Sequence, residues 1–294
     1  MTEIKIGNIL VGDGHPCYVV AEIGINHNGD IEVAKKLIDV AALAGCNAVK
    51  FQKRTIDVVY SAEELARERE SPFGTTNGDL KYGLEFGQEE YKEIDRYCKE
   101  KNIAWFASCW DEASADFIEQ FDPPCYKIAS ASLTDDALLR HTRAKGRPLM
   151  LSTGMSTLQQ IDHAVDVLGK ENLVVMHTTS TYPAYYEELN LRVIPILKQR
   201  YGVPVGYSGH ETGLSTSIAS VALGACVVER HITLDRSMWG SDQAASVESQ
   251  GFMRLVRDIS LVETALGNGV KCVIEREVPI MKKLRRVDTN GGKA

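Results

Sequence analysis

The stretch from Val227 to Glu248, VVERHITLDRSMWGSDQAASVE, decides how the chain is read. A short apolar run closes on Glu229, Arg230 and His231, and a polar loop containing glycine follows with Asp235, Asp242 and Glu248. A buried strand delivers chemistry at its end in this way. Earlier runs repeat the plan: VPVGYSGH ends at Ser208 and His210, CYKIAS carries Lys127 and Ser130, AVKFQ carries Lys50 and Gln52, and YVVAEIG carries Glu22.

Working outward, apolar runs and amphipathic segments alternate. Strands are predicted near residues 18–24, 47–52, 103–108, 125–130, 148–153, 172–177, 203–208 and 226–230. Helices are predicted between and after them, the first capped by Asp30 and ended at Gly45. Eight strand-then-helix units in 294 residues predict an α/β fold of the (β/α)8 TIM-barrel class rather than an open doubly wound sheet. No G-x-G-x-x-G follows an early strand, which speaks against a dinucleotide fold. The barrel reading sends every polar residue named above to the C-terminal mouth. Residues 1–270 are read as one catalytic barrel, with residues 53–87 as a lid loop far longer than the usual ~4 to 6 residues. A solvated insertion is the plainer reading of that loop. Residues 271–294 are read as a tail with a solvated Lys/Arg run and no second domain.

Composition narrows the function. The chain is 44% hydrophobic and 25% charged, with a formal net charge of -7, so nucleic acid and anionic membrane are not expected partners. Seven cysteines, an odd number without a C-x-x-C pair, read as buried free thiols of a reducing cytoplasm. No basic segment precedes an apolar one at the N-terminus, and no apolar run approaches a membrane span. A cytoplasmic location is expected.

Lys50 and Lys127 lie inside apolar strands, where an unpaired ammonium costs several kcal/mol. An internal ion pair with Glu22 or Glu229 is one reading. The other is a phosphate cradle, which Ser108, Ser130, Ser152 and Ser208 on neighbouring strands would complete. His210 and His231 end adjacent strands, and with a carboxylate such as Asp242 they suit a divalent cation, although a lone strand-end histidine is more often a hydrogen-bonded core residue. His177 is read as such a core residue. Trp110 and Trp239 are read either as stacking walls for a sugar ring or as rim packing.

Taken together, EIGINHNGD (Glu22 to Asp30), VKFQK (Val49 to Lys53), YKIAS (Tyr126 to Ser130), LSTGM (Leu151 to Met155), TYP (Thr181 to Pro183), GYSGHETG (Gly206 to Gly213) and ERHITLDRSMWGSDQAASVE (Glu229 to Glu248) resemble the sialic acid synthase family. The resemblance implies condensation of phosphoenolpyruvate with an amino-sugar aldehyde, N-acetylmannosamine or a related hexosamine, to a nonulosonic acid and phosphate. It implies Mn²⁺ or Mg²⁺ on His210 and His231. It implies phosphoenolpyruvate on Lys50, Lys127, Ser108, Ser130, Ser152 and Ser208, and sugar facing Gln52, Tyr182 and Asp242. Glu22, Lys50, Lys127 and Asp242 would be the catalytic set, and a homodimer is expected.

Three departures qualify the resemblance. Ser132 stands where the family has a carboxylate, with Asp135 as the candidate substitute, and Ser180 replaces an asparagine before the x-Y-P motif. The antifreeze-like domain into which most members continue is also not expected here. Two other functions are weighed: a class I aldolase forming a Schiff base on Lys127, and a non-catalytic barrel that binds a phosphosugar.

Overall fold

The computed structural model describes residues 2–287. Among the described residues, eight parallel strands form the barrel: β1 (Tyr18–Gly24), β2 (Ala48–Lys53), β3 (Ala104–Cys109), β4 (Tyr126–Ile128), β5 (Leu149–Ser152), β6 (Leu173–Thr178), β7 (Val205–Gly209) and β8 (Val227–Thr233). Each pairs with the next, and β8 closes on β1 with Val227 opposite Tyr18 and His231 opposite Glu22. The helices α1 (Ile31–Ala44), α2 (Gln88–Glu100), α3 (Glu112–Glu119), α4 (Asp136–Ala144), α5 (Leu158–Leu168), α6 (Val193–Tyr201), α7 (Ser215–Ala222) and α8 (Ser249–Leu266) follow their strands in order. The (β/α)8 TIM barrel read from the sequence is the fold.

Strand alternation explains what lies inside. Side chains two apart share a face, so Tyr18 and Val20 of β1, Ala48 of β2, Phe106 of β3, Met150 of β5, Val174 and Met176 of β6 and Val227 of β8 form one interior apolar cluster. The next inward positions toward the strand ends are polar: Glu22, Lys50, Ser108, Lys127, Ser152, Ser208 and Glu229 are all buried. The intervening residues point outward and pack in the larger cluster between strands and helices, with Val49, Phe51, Ala107, Ile128 and Leu151 among them. At the opposite end, an N-terminal hairpin of Glu3–Ile6 and Ile9–Gly12 adds Ile4, Ile6 and Val11 to the interior cluster.

Two strand ends differ from the sequence reading. β4 stops at Ile128, and Ser130 opens a 3-10 turn, Ser130–Ser132, because the chain must bend at once toward α4. β8 runs on to Thr233, so His231 is a strand residue held in register by β1. The cysteines are free, but Cys272 is exposed while the other six are buried. Its segment presents no buried face.

Residues 53–87 carry short helices Ile56–Val59 and Ala62–Leu65, a hairpin of Glu68–Ser71 and Gly74–Thr76, and a helix Asn77–Leu84. Both ends of this insertion are fixed. Lys53 Nζ meets Glu85 Oε1 at 2.8 Å and the Phe86 carbonyl at 2.9 Å. Asp111 caps α3 by accepting from Ser114 N at 2.8 Å and also accepts from Thr55 N at 2.7 Å and Thr55 Oγ1 at 2.9 Å. At the hairpin tip Phe73 meets Trp239, of the loop after β8, edge to face with ring centroids 6.5 Å apart.

The chain divides into a compact unit of residues 1–263 and a second unit of residues 264–294. In the second, a 3-10 turn Glu275–Glu277 leads into a helix Val278–Leu284 without a buried residue. Among the described residues no helix is long and apolar enough to cross a membrane.

Asp111→Ala removes a helix cap and both bonds to Thr55, so unfolding in urea should show a loss of about 1 to 2 kcal/mol at neutral pH. Burial alone would raise the Asp111 carboxyl, but the bonds from Ser114 and Thr55 hold it below its ordinary 3.8. The stabilisation is therefore full above 3.8 and lost as pH falls below it, and the gap between parent and variant should close in that acid range.

Candidate active site

Strand register assembles most of the site, and Ser130, Tyr182 and His210 join it from the segments that follow strands. Glu22 lies opposite Lys50, Gln52 opposite Ser108, Ser108 opposite Lys127, and Ser208 opposite Glu229. The result is a cavity of about 210 Å³ at the C-terminal mouth. Eleven of the sequence-predicted site residues line it: Glu22, Lys50, Gln52, Ser108, Lys127, Ser130, Ser152, Tyr182, Ser208, His210 and His231. The twelfth, Asp242, does not line the cavity; its carboxylate stands 3.8 Å from His231 Nδ1. Trp110 lines the wall, whereas Trp239 lies out at the hairpin tip.

At the floor, four charges alternate. Lys127 Nζ binds Glu229 Oε1 at 2.6 Å, Lys50 Nζ lies 3.6 Å from the same oxygen, and Lys50 also meets Glu22 Oε2 at 2.8 Å. Gln52 Nε2 donates to Glu22 Oε1 at 2.8 Å, and Ser208 Oγ donates to Glu229 Oε1 at 3.1 Å. The ion pairs of the first reading are present, and the same lysines share the cavity with Ser108, Ser130, Ser152 and Ser208. Burial alone would raise the Glu229 carboxyl, but Lys127 and Lys50 pull it well below the usual carboxylate range. Burial pushes the Lys127 ammonium down against the pull of Glu229, whereas the two carboxylates beside Lys50 overcome burial and lift it.

The serines are tied to backbone that a side chain would block. Gly154 N donates to Ser130 Oγ at 3.0 Å, and a Cβ at Gly154 would stand 2.1 Å from Ser180 Oγ. Ser152 Oγ shares a hydrogen bond of 2.8 Å with Thr178 Oγ1. On the β1 side Gly24 is left-handed at φ +55, where a Cβ would meet Gln52 Nε2 and Glu22 Oε1, each at 3.0 Å.

In the same cavity, His210 and His231 lie with ring centroids 5.4 Å apart, and Tyr182 leans on His210 at 4.1 Å. His210 Nδ1 sits 2.6 Å from the Thr179 carbonyl oxygen, so that nitrogen carries the proton and Nε2 keeps its lone pair. Burial, with His231 beside it, pushes His210 down to about 3, so the ring is neutral near pH 7. His231 Nδ1 is buried without a hydrogen-bond partner among the described residues. The neutral His210 ring with its free lone pair and the orphaned nitrogen of His231 beside it fit a divalent cation that takes its remaining ligands from substrate or water. Among the described residues no group of three or more His, Cys, Asp or Glu is assembled around such a position. His177, by contrast, is a satisfied core residue, bonded through Nε2 to the Leu189 carbonyl at 2.6 Å.

Asp135 does not substitute for the carboxylate that Ser132 lacks. It caps α4 by accepting from Leu138 N at 3.1 Å, and Ser132 is buried in the turn outside the cavity lining. Glu229 is the carboxylate that sequence reasoning left as a counter-ion only. Its signal was alternation, since it is the residue two before His231 on the inward face.

Arg230, between them, points outward and is fully buried with Glu211. Its Nη1 lies 3.2 Å from Glu211 Oε1 and donates to the Gly213 carbonyl and Ser217 Oγ, both at 2.8 Å. Glu211 also accepts from Tyr207 OH at 2.8 Å and Thr216 Oγ1 at 2.6 Å. This knot fixes the backbone beside both histidines.

With this geometry in place, comparison with known proteins decides the relationship. The family model described as NeuB family matches residues 37–271. The chain belongs to the NeuB family. It is 41% identical over 280 residues to the N-acetylneuraminate-9-phosphate synthase of Homo sapiens, covering 93% of this chain and 78% of that protein. It is 35% identical to the N,N'-diacetyllegionaminic acid synthase of Legionella pneumophila, covering 94% and 80%. The crystal structure of N-acetylneuraminic acid (sialic acid) synthetase from Leptospira borgpetersenii in complex with citrate superposes with a TM-score of 0.85 at 30% identity, covering 97% of this chain and 98% of that one. The chain is accordingly an enzyme, a phosphoenolpyruvate-dependent synthase of the sialic acid type.

Arg230→Met leaves the Glu211 carboxylate buried without its cation, and the expected cost in urea unfolding is about 3 to 5 kcal/mol. The double variant Arg230→Met/Glu211→Gln should recover part of that loss, because the stranded charge is gone.

Proposed function

We propose that the chain condenses phosphoenolpyruvate with a hexosamine-type sugar aldehyde, N-acetylmannosamine or a relative, to give a nonulosonic acid and phosphate, with Mn²⁺ or Mg²⁺ held by His210 and His231. The observation that carries this reading is one cavity lined both by buried lysines with serine hydroxyls and by a pair of imidazoles 5.4 Å apart.

In this reading Lys50, Lys127 and the hydroxyls of Ser108, Ser130, Ser152 and Ser208 hold the phosphate and carboxylate of phosphoenolpyruvate by charge-assisted hydrogen bonds. The cation, when bound, polarises the aldehyde oxygen as a Lewis acid. Gln52 and Tyr182 orient the sugar, and Asp242 reaches it from beside His231. The enol carbon then bonds to the aldehyde carbon, and a water oxygen adds at the cationic carbon that results. The carbon–oxygen bond to phosphorus breaks, leaving the keto acid. One proton of that water balances the sugar alkoxide and the other leaves with phosphate. Lys127 and Lys50 stabilise the charge that gathers on the departing phosphate, while Glu22 orients substrate or water.

The Schiff-base reading is not favoured. Lys127 Nζ is occupied by Glu229 Oε1 at 2.6 Å, and the family relationship carries a different chemistry. The named products of the relatives leave the far end of the acceptor open, since one is a 9-phosphate and the other is not.

Loss of phosphoenolpyruvate in the presence of Mn²⁺ and a panel of hexosamines should be seen with at least one acceptor and should stop on chelation; full turnover in chelator would remove the metal. His231→Ala should abolish turnover and cation binding while the thermal unfolding midpoint stays within a few degrees. Lys127→Ala should weaken phosphoenolpyruvate binding by roughly tenfold or more, the equivalent of one charge-assisted hydrogen bond, with less effect on the sugar. Equal losses for both substrates would move Lys127 out of the phosphate cradle.

A further inference from the structure

The loop that follows β8 leaves at Thr233 and comes back to pair beside the same strand, with Val247 opposite Ile232 and Glu248 opposite Thr233. Between these points it carries Asp242, whose carboxylate stands 3.8 Å from His231 Nδ1. Loops of this length are mobile unless something outside them ties them down. Asn26 is that tie.

Asn26 lies two residues beyond β1 and is buried. Its own position is fixed: its N–H donates to the Ile23 carbonyl at 2.8 Å, and the next residue, His27, is buried with its ring stacked on Phe86 at 3.9 Å. From this base Nδ2 donates twice, to the Ile232 carbonyl and to Ser246 Oγ, both at 2.8 Å. A carbonyl only accepts, so the amide nitrogen, not its oxygen, faces β8. The hydroxyl that accepts from Asn26 has one proton to give, and it gives it to the Asp242 carbonyl at 2.7 Å. One side chain thereby holds the carbonyl next after His231 and, through a single hydroxyl, the backbone of Asp242.

The surroundings reinforce this hold. Ladder pairing of β8 with β1 ends at His231 opposite Glu22, so the Ile232 carbonyl lies just beyond the register that fixes the histidine. Gln243, also buried, donates from Nε2 to the Asn26 carbonyl at 3.4 Å and accepts from Thr233 Oγ1. A Cβ at Gly240, where φ is +141, would stand 3.4 Å from Asn28 Oδ1, so the loop lies directly against the turn after β1. Asn26 Oδ1 is buried without a partner among the described residues. An unmade acceptor costs stability, and the side chain serves its two donors instead.

We propose that Asn26 is a positioning residue for the reaction. Through Ile232 it fixes the end of β8 at His231, and through Ser246 it fixes Asp242, so that imidazole and carboxylate keep the separation at which they face the sugar. The inference rests on the reading given above, in which both groups meet the acceptor. Asn26 and Ser246 are not among the residues that line the cavity, so both act through their neighbours.

The test uses the full chain with Ser246→Ala, which cuts the link to Asp242 alone, and Asn26→Asp, which keeps the shape and removes both donors. Ser246→Ala should lower kcat/KM for the acceptor by about tenfold, the equivalent of one hydrogen bond, and leave KM for phosphoenolpyruvate within about twofold. Asn26→Asp should cost more, with the same split between substrates. In an Asp242→Ala background Ser246→Ala should cost nothing further, because there is no carboxylate left to position. Equal losses for both substrates overturn the proposal, as does a second loss of about tenfold in that background. Magnetic resonance signals of the His231 ring nitrogens need no substrate and are read in parallel. Both substitutions should move them while those of His177 stay in place, and unmoved His231 signals overturn the proposal. If no acceptor consumes phosphoenolpyruvate, the condensation reading fails, and these signals alone decide the positioning. Should Asn26→Asp not fold, Ser246→Ala carries both measurements.

Discussion

Glu229 sits between two buried ammonium groups, and the rest of the site depends on that arrangement. Lys127 at 2.6 Å and Lys50 at 3.6 Å share one of its oxygens, and Glu22 completes an alternating row of two positive and two negative charges. Removed from water singly, each of these groups would cost several kcal/mol; as a neutral quartet they can lie at the centre of a barrel. The same row sets the terms of substrate entry. In the proposed reaction an incoming phosphate and carboxylate would share the lysines with Glu229, with the serine hydroxyls around them as extra donors.

A second constraint lies one residue away. β8 alternates Glu229 in, Arg230 out and His231 in, so one strand serves the charge row, the outer ionic knot and the imidazole pair. Arg230 and Glu211 are the neighbours in sequence of His231 and His210, and both are wholly buried. Two strand ends are thereby held by a bond behind the sheet while their working side chains face the cavity. Rigid backing of this kind holds two imidazoles in place from behind the sheet.

Much of this was legible in the sequence because the barrel has a strong period. YVVAEIG and VVERHIT each show apolar residues leading to polar ones, and strand ends within a residue or two were enough to place the cavity residues. What escaped detection did so for physical reasons. Ser130 and Ser132 read as strand and neighbour, yet a tight turn follows Ile128, and a turn has no periodicity to reveal it. Asp135 looked like a spare carboxylate, but an aspartate three residues before Leu138 is equally a helix cap, and the local backbone bond claims it. Glu229 was visible as a charge, while its place between two lysines depends on the register of β4 and β2, which no single stretch records.

The way the polar row is distributed has a consequence for how the enzyme comes into being. Seven of the eight strands contribute one or two groups, and the last of them, Glu229 and His231, come from the strand that closes the ring against Tyr18–Gly24. A chain emerging from the ribosome therefore has Glu22 at hand when Lys50 appears, but holds Lys127 before the carboxylate that balances it has been synthesised. Until β8 arrives, no earlier portion of the barrel can be both dry inside and neutral, so maturation of the catalytic centre and completion of the fold are a single event.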